Sequence, residues 1–485
     1  MISRTAQPGA LISTHVPARL DRLPWSPFHW RVVLALGITW ALDGLEVTFK
    51  GAVSGVLQLP TTLNFSPAQI GMLGSAYLAG AVLGALVFGR LADRYGRKRL
   101  FFVTLAVYLA GVGLSAFSWD LASFCVFRFL TGCGIGGEYA AINSAIDELI
   151  PARHRGRVAL LINGTFWLGA ALGAGAALVV LDPAHFAPDI GWRVGFGVGA
   201  LLGLFILCFR NSIPESPRWL ITHGRPDEAE RVVAAIERTI ERRQGVLLAP
   251  PSGPALALRP RLFFGLGYVA RIMFERYRAR SVLCVVLMMS QAFLYNAIFF
   301  TYAMVLTRFY AVPAPDTALY LLPFALGNFL GPLLLGPAFD TVGRRVMIAL
   351  TYGISAVLLA VTGYMFVNDL VSAAGQTALW CAIFFFASAA ASSAYLTASE
   401  VFPLEIRALA IAIFFAIGTG TGGIAAPWLF GTLIGTGSRE AVFYGYLAAA
   451  ALMLIAVAVV LLPRRQTAGH LCHLSLKGLL QLLAL

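Results

Sequence analysis

From residue 28 onward the chain alternates long apolar runs with short charged segments. Ten of these runs contain no Asp, Glu, Lys or Arg: 68–89, 100–119, 158–181, 194–209, 281–307, 317–339, 346–368, 370–399, 408–438 and 441–463. Two more, near 28–58 and 121–149, are equally apolar apart from a few charges. A helix crossing the hydrocarbon core needs about 20 such residues. Lipid offers the backbone no hydrogen-bond partner, so each run is predicted to be a membrane-spanning helix. Twelve spans use up most of the 485 residues and leave no room for a soluble domain of ordinary size.

Charge then orients the spans. Only 12% of residues are charged, against about 25% in a soluble domain, which argues against an ordinary soluble enzyme. The 36 basic and 23 acidic residues give +13, and the basic ones sit in the loops. With the N-terminus inside, inner segments hold 31 of the 36, outer loops hold Arg193, Arg308 and Arg439, and Lys50 and Arg128 lie within spans. This is the positive-inside asymmetry; it predicts a multi-pass protein of the cell (plasma or inner) membrane with both termini cytoplasmic. The partner of the positive charge is then the lipid bilayer, and no nucleic acid is expected. The first 27 residues carry Arg4, Arg19 and Arg22 without an apolar stretch and cleavage site, so the first span is expected to serve as the insertion signal. Six cysteines are scattered with no Cys-x-x-Cys, so they read as packing residues and no metal site is expected.

An internal repeat divides the chain. Gly89-x-x-x-Asp93-x-x-Gly96-Arg97 follows the second span, and Gly336-x-x-x-Asp340-x-x-Gly343-Arg344 follows the eighth, 247 residues later. Glu148, Pro151 and Arg155 after the fourth span keep the spacing of Glu400, Pro403 and Arg407 after the tenth, 252 residues later. The predicted fold is all-α: a cytoplasmic segment 1–27, a six-helix bundle 28–211, a cytoplasmic linker 212–280, a second six-helix bundle 281–463 and a cytoplasmic tail 464–485. Parallel repeats of this kind suit a transporter that rocks one half against the other. Within the linker, residues 226–243 alternate charged with apolar positions and predict an amphipathic surface helix. Pro250, Pro251, Pro254 and Pro260 predict a loop after it.

These paired loops resemble the signature of the major facilitator superfamily. Arg128-Phe-Leu-Thr-Gly132-Cys-Gly134-Ile-Gly136-Gly137-Glu138, the Glu-x-x-Pro-x-x-x-Arg pair and Pro214-Glu215-Ser216-Pro217-Arg218-Trp219-Leu220 add to the resemblance, which covers about residues 28 to 463. Within that superfamily, Pro214 to Leu220 and Ser399 to Arg407 are similar to sugar porters and related metabolite–proton symporters. Gln291-x-x-x-x-Asn296 is similar to a sugar-porter pattern in the seventh span, with Ser290 in place of a second Gln. Asp43-Gly44-Leu45-Glu46 resembles the Asp-Gly-x-Asp of aromatic-acid/proton symporters, with Glu replacing the second Asp. Drug–proton antiporters carry a Gly-Pro element in the fifth span, where Gly169 to Gly175 holds no Pro. The resemblance implies a secondary transporter working by alternating access, functional as a monomer.

Every charge deep within a span lies in spans one and four. Such residues are costly in lipid and usually face a partner or a wet cavity. Asp43, Glu46 and Lys50, at i, i+3 and i+7, fall within about 60° of arc and form a stripe about 10 Å long. Arg128 and Glu138 are about 15 Å apart along their helix, so each is expected to find its partner on another one. The five groups sum to −1, and one proton neutralises the set. Asp43, Glu46 and Glu138 are therefore the candidate proton-coupling residues, while Lys50 and Arg128 are candidates to hold a substrate carboxylate or to stay paired with those acids. Asn163, Trp167, Gln291, Tyr295, Asn296 and Tyr302, in spans five and seven, are candidate cavity-lining residues. The gating set comprises Gly89, Asp93, Gly96, Arg97, Glu148, Arg155, Glu215, Arg218, Gly336, Asp340, Gly343, Arg344, Glu400 and Arg407. In it, Asp93 and Asp340 are expected to bond across the halves.

The expected function is proton-coupled uptake of a small organic solute, with an organic or aromatic carboxylate ahead of a sugar or polyol. Protons and the solute are the partners, and the gradient takes the place of a cofactor. A drug antiporter or a non-transporting sensor is a weaker reading. The chain is not expected to be an enzyme.

Overall fold

The computed structural model describes residues 12–210, 214–245, 247–251, 256–258, 266–402 and 407–462. The chain opens with a short strand β1 (Ile12–Thr14) and helix α1 (Val16–Asp21), then six long helices: α2 (Pro27–Val56), α3 (Pro67–Tyr95), α4 (Arg97–Ser115), α5 (Leu121–Leu149), α6 (Ala152–Val180) and α7 (Pro188–Arg210). Between the halves lie α8 (Pro217–Thr222), α9 (Pro226–Gln244), β2 (Leu256–Leu258) and α10 (Leu266–Glu275). The second half runs through α11 (Arg278–Phe299), α12 (Tyr302–Tyr310), a 3₁₀ segment Ala314–Tyr320, α13 (Leu321–Thr341), α14 (Arg344–Val367) and α15 (Ala373–Val401). It ends with α16 (Arg407–Gly418), a π turn Thr419–Gly423, α17 (Ile424–Gly435) and α18 (Arg439–Leu461). Helices α11 and α12 form one broken span and α16 and α17 another, so each half has six. Among the described residues ten helical stretches are long and apolar enough to cross a membrane; α5 and α7 complete the twelve.

Several spans start on capping residues that the sequence places just before the apolar run. Ser66 Oγ accepts from Gln69 N at 3.3 Å while Gln69 Oε1 accepts from Ser66 N at 2.8 Å, with Pro67 opening the helix. Asp120 and Ser438 do the same work for α5 and α18. The loops Asp-x-x-Gly-Arg need glycine for a backbone reason: Gly96 and Gly343 turn the chain at φ +95° and +108° between two helices. That is a conformation in which a Cβ is strained.

Close helix contact in lipid depends on small residues. Helices α3 and α5 interlock through Gly80, Gly84, Gly132 and Gly136, where an added Cβ would stand 1.9–2.0 Å from a facing carbonyl oxygen. Gly44 and Gly169 bring α2 and α6 together in the same way, at 1.9 and 1.7 Å. The glycine-rich run in the eleventh span forms the π turn and lies on α11, with Gly418 and Gly422 against Met288 and Met289.

The two halves meet near the ends of the spans farthest from the linker, here termed the far face. Ser75 Oγ donates to Ile424 O at 2.6 Å, Gly71 abuts Pro427, Gly431 abuts Pro67 and Gly55 abuts Ala314.

On the linker face a small module forms around the expected amphipathic helix, joined by a strand pair that no sequence pattern announces. β1 pairs antiparallel with β2, Ile12 facing Leu258 and Thr14 facing Leu256. Three residues a side are too few to show a strand period, so both stretches read as tail and loop. The charge-alternating stretch forms α9, whose Ala229, Val233, Ile236 and Ile240 pack on Val16, Leu20, Leu23, Trp219, Leu220 and Ile221.

Candidate functional site

Asp43, Glu46 and Lys50 on α2 and Arg128 and Glu138 on α5 are all buried, none exposing more than 3%. Gly44 lets α6 press against α2 from behind, which fixes the face on which these acids stand. Arg128 Nη1 donates to Glu46 Oε1. The guanidinium also stands 4.9 Å from the ring of Tyr77 and 5.7 Å from that of Phe196. Tyr77 in turn donates its hydroxyl to Asp43 Oδ1 at 3.1 Å, so the tyrosine links Asp43 to the arginine that Glu46 holds directly. Tyr108, whose hydroxyl lies 3.5 Å from Leu42 O, is within electrostatic reach of Glu46, Asp43, Glu138 and Arg128.

The pair is only partly bonded. Glu46 Oε2, Arg128 Nε and Arg128 Nη2 are buried with no hydrogen-bond partner among the described residues. Ions taken out of water recover the cost only when their remaining donors and acceptors are also met. Chemically, the unbonded carboxylate oxygen is able to take a proton and the unbonded N–H groups to bind an anion.

The sequence reading left Lys50 and Arg128 as equivalent cations; the structure separates them. Lys50 Nζ, one turn nearer the far face, lies 4.2 Å above the ring of Phe300, and no hydrogen-bond partner among the described residues reaches it.

The cavity-lining candidates divide as well. Asn163 is exposed and accepts from Trp40 Nε1 at 2.7 Å. Trp167 meets Phe299 of the other half edge-on at 6.4 Å, and Tyr302 closes on Gly51. Gln291 is buried in α11. Tyr295 donates to Asn328 Oδ1, while Asn296 Nδ2 donates to Ala292 O at 2.7 Å, so these donors are engaged within their own half. Asn328 donates to Phe324 O at 3.0 Å and Ser388 donates to Asn328 O at 2.7 Å. Tyr77, Tyr108, Asn328 and Ser388 were missed from sequence. Their one signal was a polar group in the middle of an apolar run.

Among the gating residues, Glu215 caps α4: its Oε1 accepts from Arg97 N at 2.9 Å and Lys98 N at 3.3 Å. Arg344 pairs with Glu400 at 2.9 Å. The first bonds tie the linker to the first half and the second stays within the second half, so neither crosses between the halves. Gly89 and Gly336 sit inside α3 and α13, and Arg218 opens α8 and is engaged. The side chains of Asp93, Glu148, Arg155, Asp340 and Arg407 lie outside the described residues, so the expected bonds across the halves fall there too.

Two six-helix halves, with a buried, half-bonded ion pair inside the first, have the architecture of a transporter of the major facilitator fold, not of an enzyme. Residues 52–469 match the family described as "Sugar (and other) transporter", and the chain belongs to that family. It is 28% identical over 412 residues to a niacin transporter of Acinetobacter baylyi, covering 84% of this chain and 88% of the relative. It is also 28% identical over 444 residues to a 4-hydroxybenzoate transporter of Pseudomonas aeruginosa, covering 87% and 90%. The fold matches the partially occluded inward-open xylose transporter of Escherichia coli with a TM-score of 0.66 at 19% identity, covering 89% and 97%. The protein is thus a multi-pass membrane transporter of metabolites.

Proposed function

We propose that the protein imports a small organic carboxylate, foremost an aromatic one, together with a proton. The observation that carries this reading is the Glu46–Arg128 pair with its vacant oxygen and two vacant donors. A proton on Glu46 removes the charge that holds Arg128 and frees the guanidinium for a carboxylate. Proton and anion then cross as a neutral load. Asp43, tied to Tyr77, and Glu138 extend the same acidic set. Asn163, Trp167, Gln291, Tyr295, Asn296 and Tyr302 are assigned to the cavity, where aromatic walls suit a flat solute. Niacin and 4-hydroxybenzoate, named for the two relatives, are both aromatic monocarboxylates, which supports the class.

In this reading the halves are 28–211 and 281–463, and the linker face is cytoplasmic in the inner or plasma membrane. The two repeat loops, with Glu148, Arg155, Glu215, Arg218, Glu400 and Arg407, hold the cytoplasmic gate. The family's sugar porters and the buried Gln291 favour a second reading, a sugar or polyol porter.

The test is uptake of labelled 4-hydroxybenzoate into proteoliposomes under an imposed pH gradient, with sugars and carboxylates as competitors. Accumulation is expected to vanish when the gradient is collapsed, and Glu46→Gln is expected to lose it while still exchanging substrate across the membrane. Accumulation that survives collapse, or competition by sugars alone, sinks the proposal.

A further inference from the structure

Among the described residues Lys50 is a cation with no anion bonded to it. Its ammonium exposes almost nothing, donates to no hydrogen-bond partner among the described residues and rests on the Phe300 ring at 4.2 Å. Arg128 repels it, and the groups that attract it are Glu46, whose carboxylate is already bonded to Arg128, and Cys125. A buried charge left in this condition is costly and marks a place where a counter-ion belongs.

Its position says when that counter-ion arrives. A Cβ built on Gly74 of α3 would stand 3.3 Å from Lys50 Nζ, 3.3 Å from Phe300 and 3.0 Å from Pro427. The ammonium therefore lies in the seam between the halves, with α2 and α3 on one side and the ends of α11 and α17 on the other. Four residues separate it from Glu46, about 6 Å toward the far face. Phe300 and Pro427 belong to the half that must move away when the far face opens. Once they part, Lys50 is uncovered on the face of the first half that they leave.

We propose that Lys50 is the charge-selecting residue of the transporter: it takes the carboxylate of the arriving solute, and Phe300 covers it when the site is empty and the far face is shut. This rests on the carboxylate reading of the function. Arg128 is unsuited to the task on arrival because Glu46 holds it. Selection by Lys50 differs from a purely structural cation–π latch in one respect. Recognition needs the ammonium but not the ring, whereas a latch needs both.

The experiment is inhibition of labelled 4-hydroxybenzoate exchange by pyridine-3-carboxylate and by its uncharged carboxamide, in proteoliposomes at pH 7. The wild type is expected to prefer the carboxylate by at least about tenfold, and Lys50→Gln to lose that preference through weaker carboxylate binding alone. Lys50→Arg is expected to restore it, and Phe300→Leu to keep it. A preference unchanged in Lys50→Gln overturns the proposal, as does an equal loss for acid and amide or a Phe300→Leu variant that loses selectivity. Should Lys50→Gln not fold, a wild type that binds acid and amide alike overturns it unaided. Failure of the functional reading looks different: the wild type would then show no gradient-driven carboxylate uptake at all. Wild-type uptake with an indifferent Lys50→Gln variant removes only the role of Lys50.

Discussion

Two arginine–glutamate clusters hold this molecule together at different depths, and they are built to opposite standards. On the linker face, both oxygens of Glu237 are used: Oε1 accepts from Arg19 Nε at 3.0 Å and Arg22 Nη2 at 2.5 Å, and Oε2 from Arg19 Nη2 at 2.5 Å. Arg19 reaches Glu230 as well. Partial burial alone would raise the Glu237 carboxyl, but hydrogen bonds from Arg19 and Arg22 outweigh it and hold it below its usual range. Inside the membrane, Glu46 and Arg128 share a single hydrogen bond and leave three polar atoms bare. Water is scarce there and each unmet atom costs more, so economy would demand the reverse. A joint that must stay shut has both oxygens of its carboxylate met, with Arg22 Nε alone in it lacking a partner among the described residues. One that must exchange a partner in every cycle keeps some bonds vacant.

The largest effect expected from this contrast comes from removing one member of the inner pair. Arg128→Met leaves Glu46 buried and uncompensated, and breaking such a pair costs about 3–5 kcal/mol. Thermal unfolding in detergent is expected to show the loss, and adding Glu46→Gln is expected to recover most of the stability but none of the gradient-driven uptake. A double variant as unstable as the single one would mean that the arginine packs rather than pairs.

The outer clasp is expected to respond less. Glu237→Ala removes a partly buried acceptor of charge-assisted bonds, worth about 1–3 kcal/mol locally. The N-terminal segment is held besides by the β1–β2 pairing, the Arg153 bond to Leu23 O at 3.0 Å and the apolar contacts of Leu20 and Leu23. Faster tryptic cleavage at Arg19 and Arg22 should follow, with uptake unchanged. A transport defect as deep as that of Glu46→Gln would break the comparison, because the clasp would then be part of the cycle.

How much of this contrast could be read in advance depends on the range of the interactions. The spans are carried by runs of apolar residues, the repeat by two motifs at one offset, and the inner charges by their rarity in lipid, all of them local or periodic signals. Which acid meets Arg128 was not legible, since Asp43 and Glu46 stand on one stripe and the choice depends on how α2 and α5 are rotated against each other. Tyr77 hides among aliphatic neighbours, and its role appears only when α3 closes on α5 through Gly80 and Gly84. The clasp joins residues more than 200 positions apart, Arg19 with Glu237, and only the folded chain makes them neighbours. Gly44 read as part of a motif, whereas its contact with α6 gives it a steric reason.

The smallest predicted effect is a pH response confined to the clasp. Glu237 is held below its usual range when folded, so its contribution is fully present above the free carboxyl value of about 4.3 and is lost as pH falls through the lowered folded value. Bonding to Glu237 and Glu230 raises Arg19 despite the opposing effect of burial, which places its own titration far to the alkaline side. Between pH 7 and 5 hydrogen exchange in β1 and α1, corrected for the intrinsic rate, is therefore expected to stay flat, and below about pH 4 to accelerate. The Glu237→Ala variant should lack this acid step. If it keeps the step, Glu237 is not the group that titrates, and the distinction between a completed joint and an open one loses its measurable sign on the linker face.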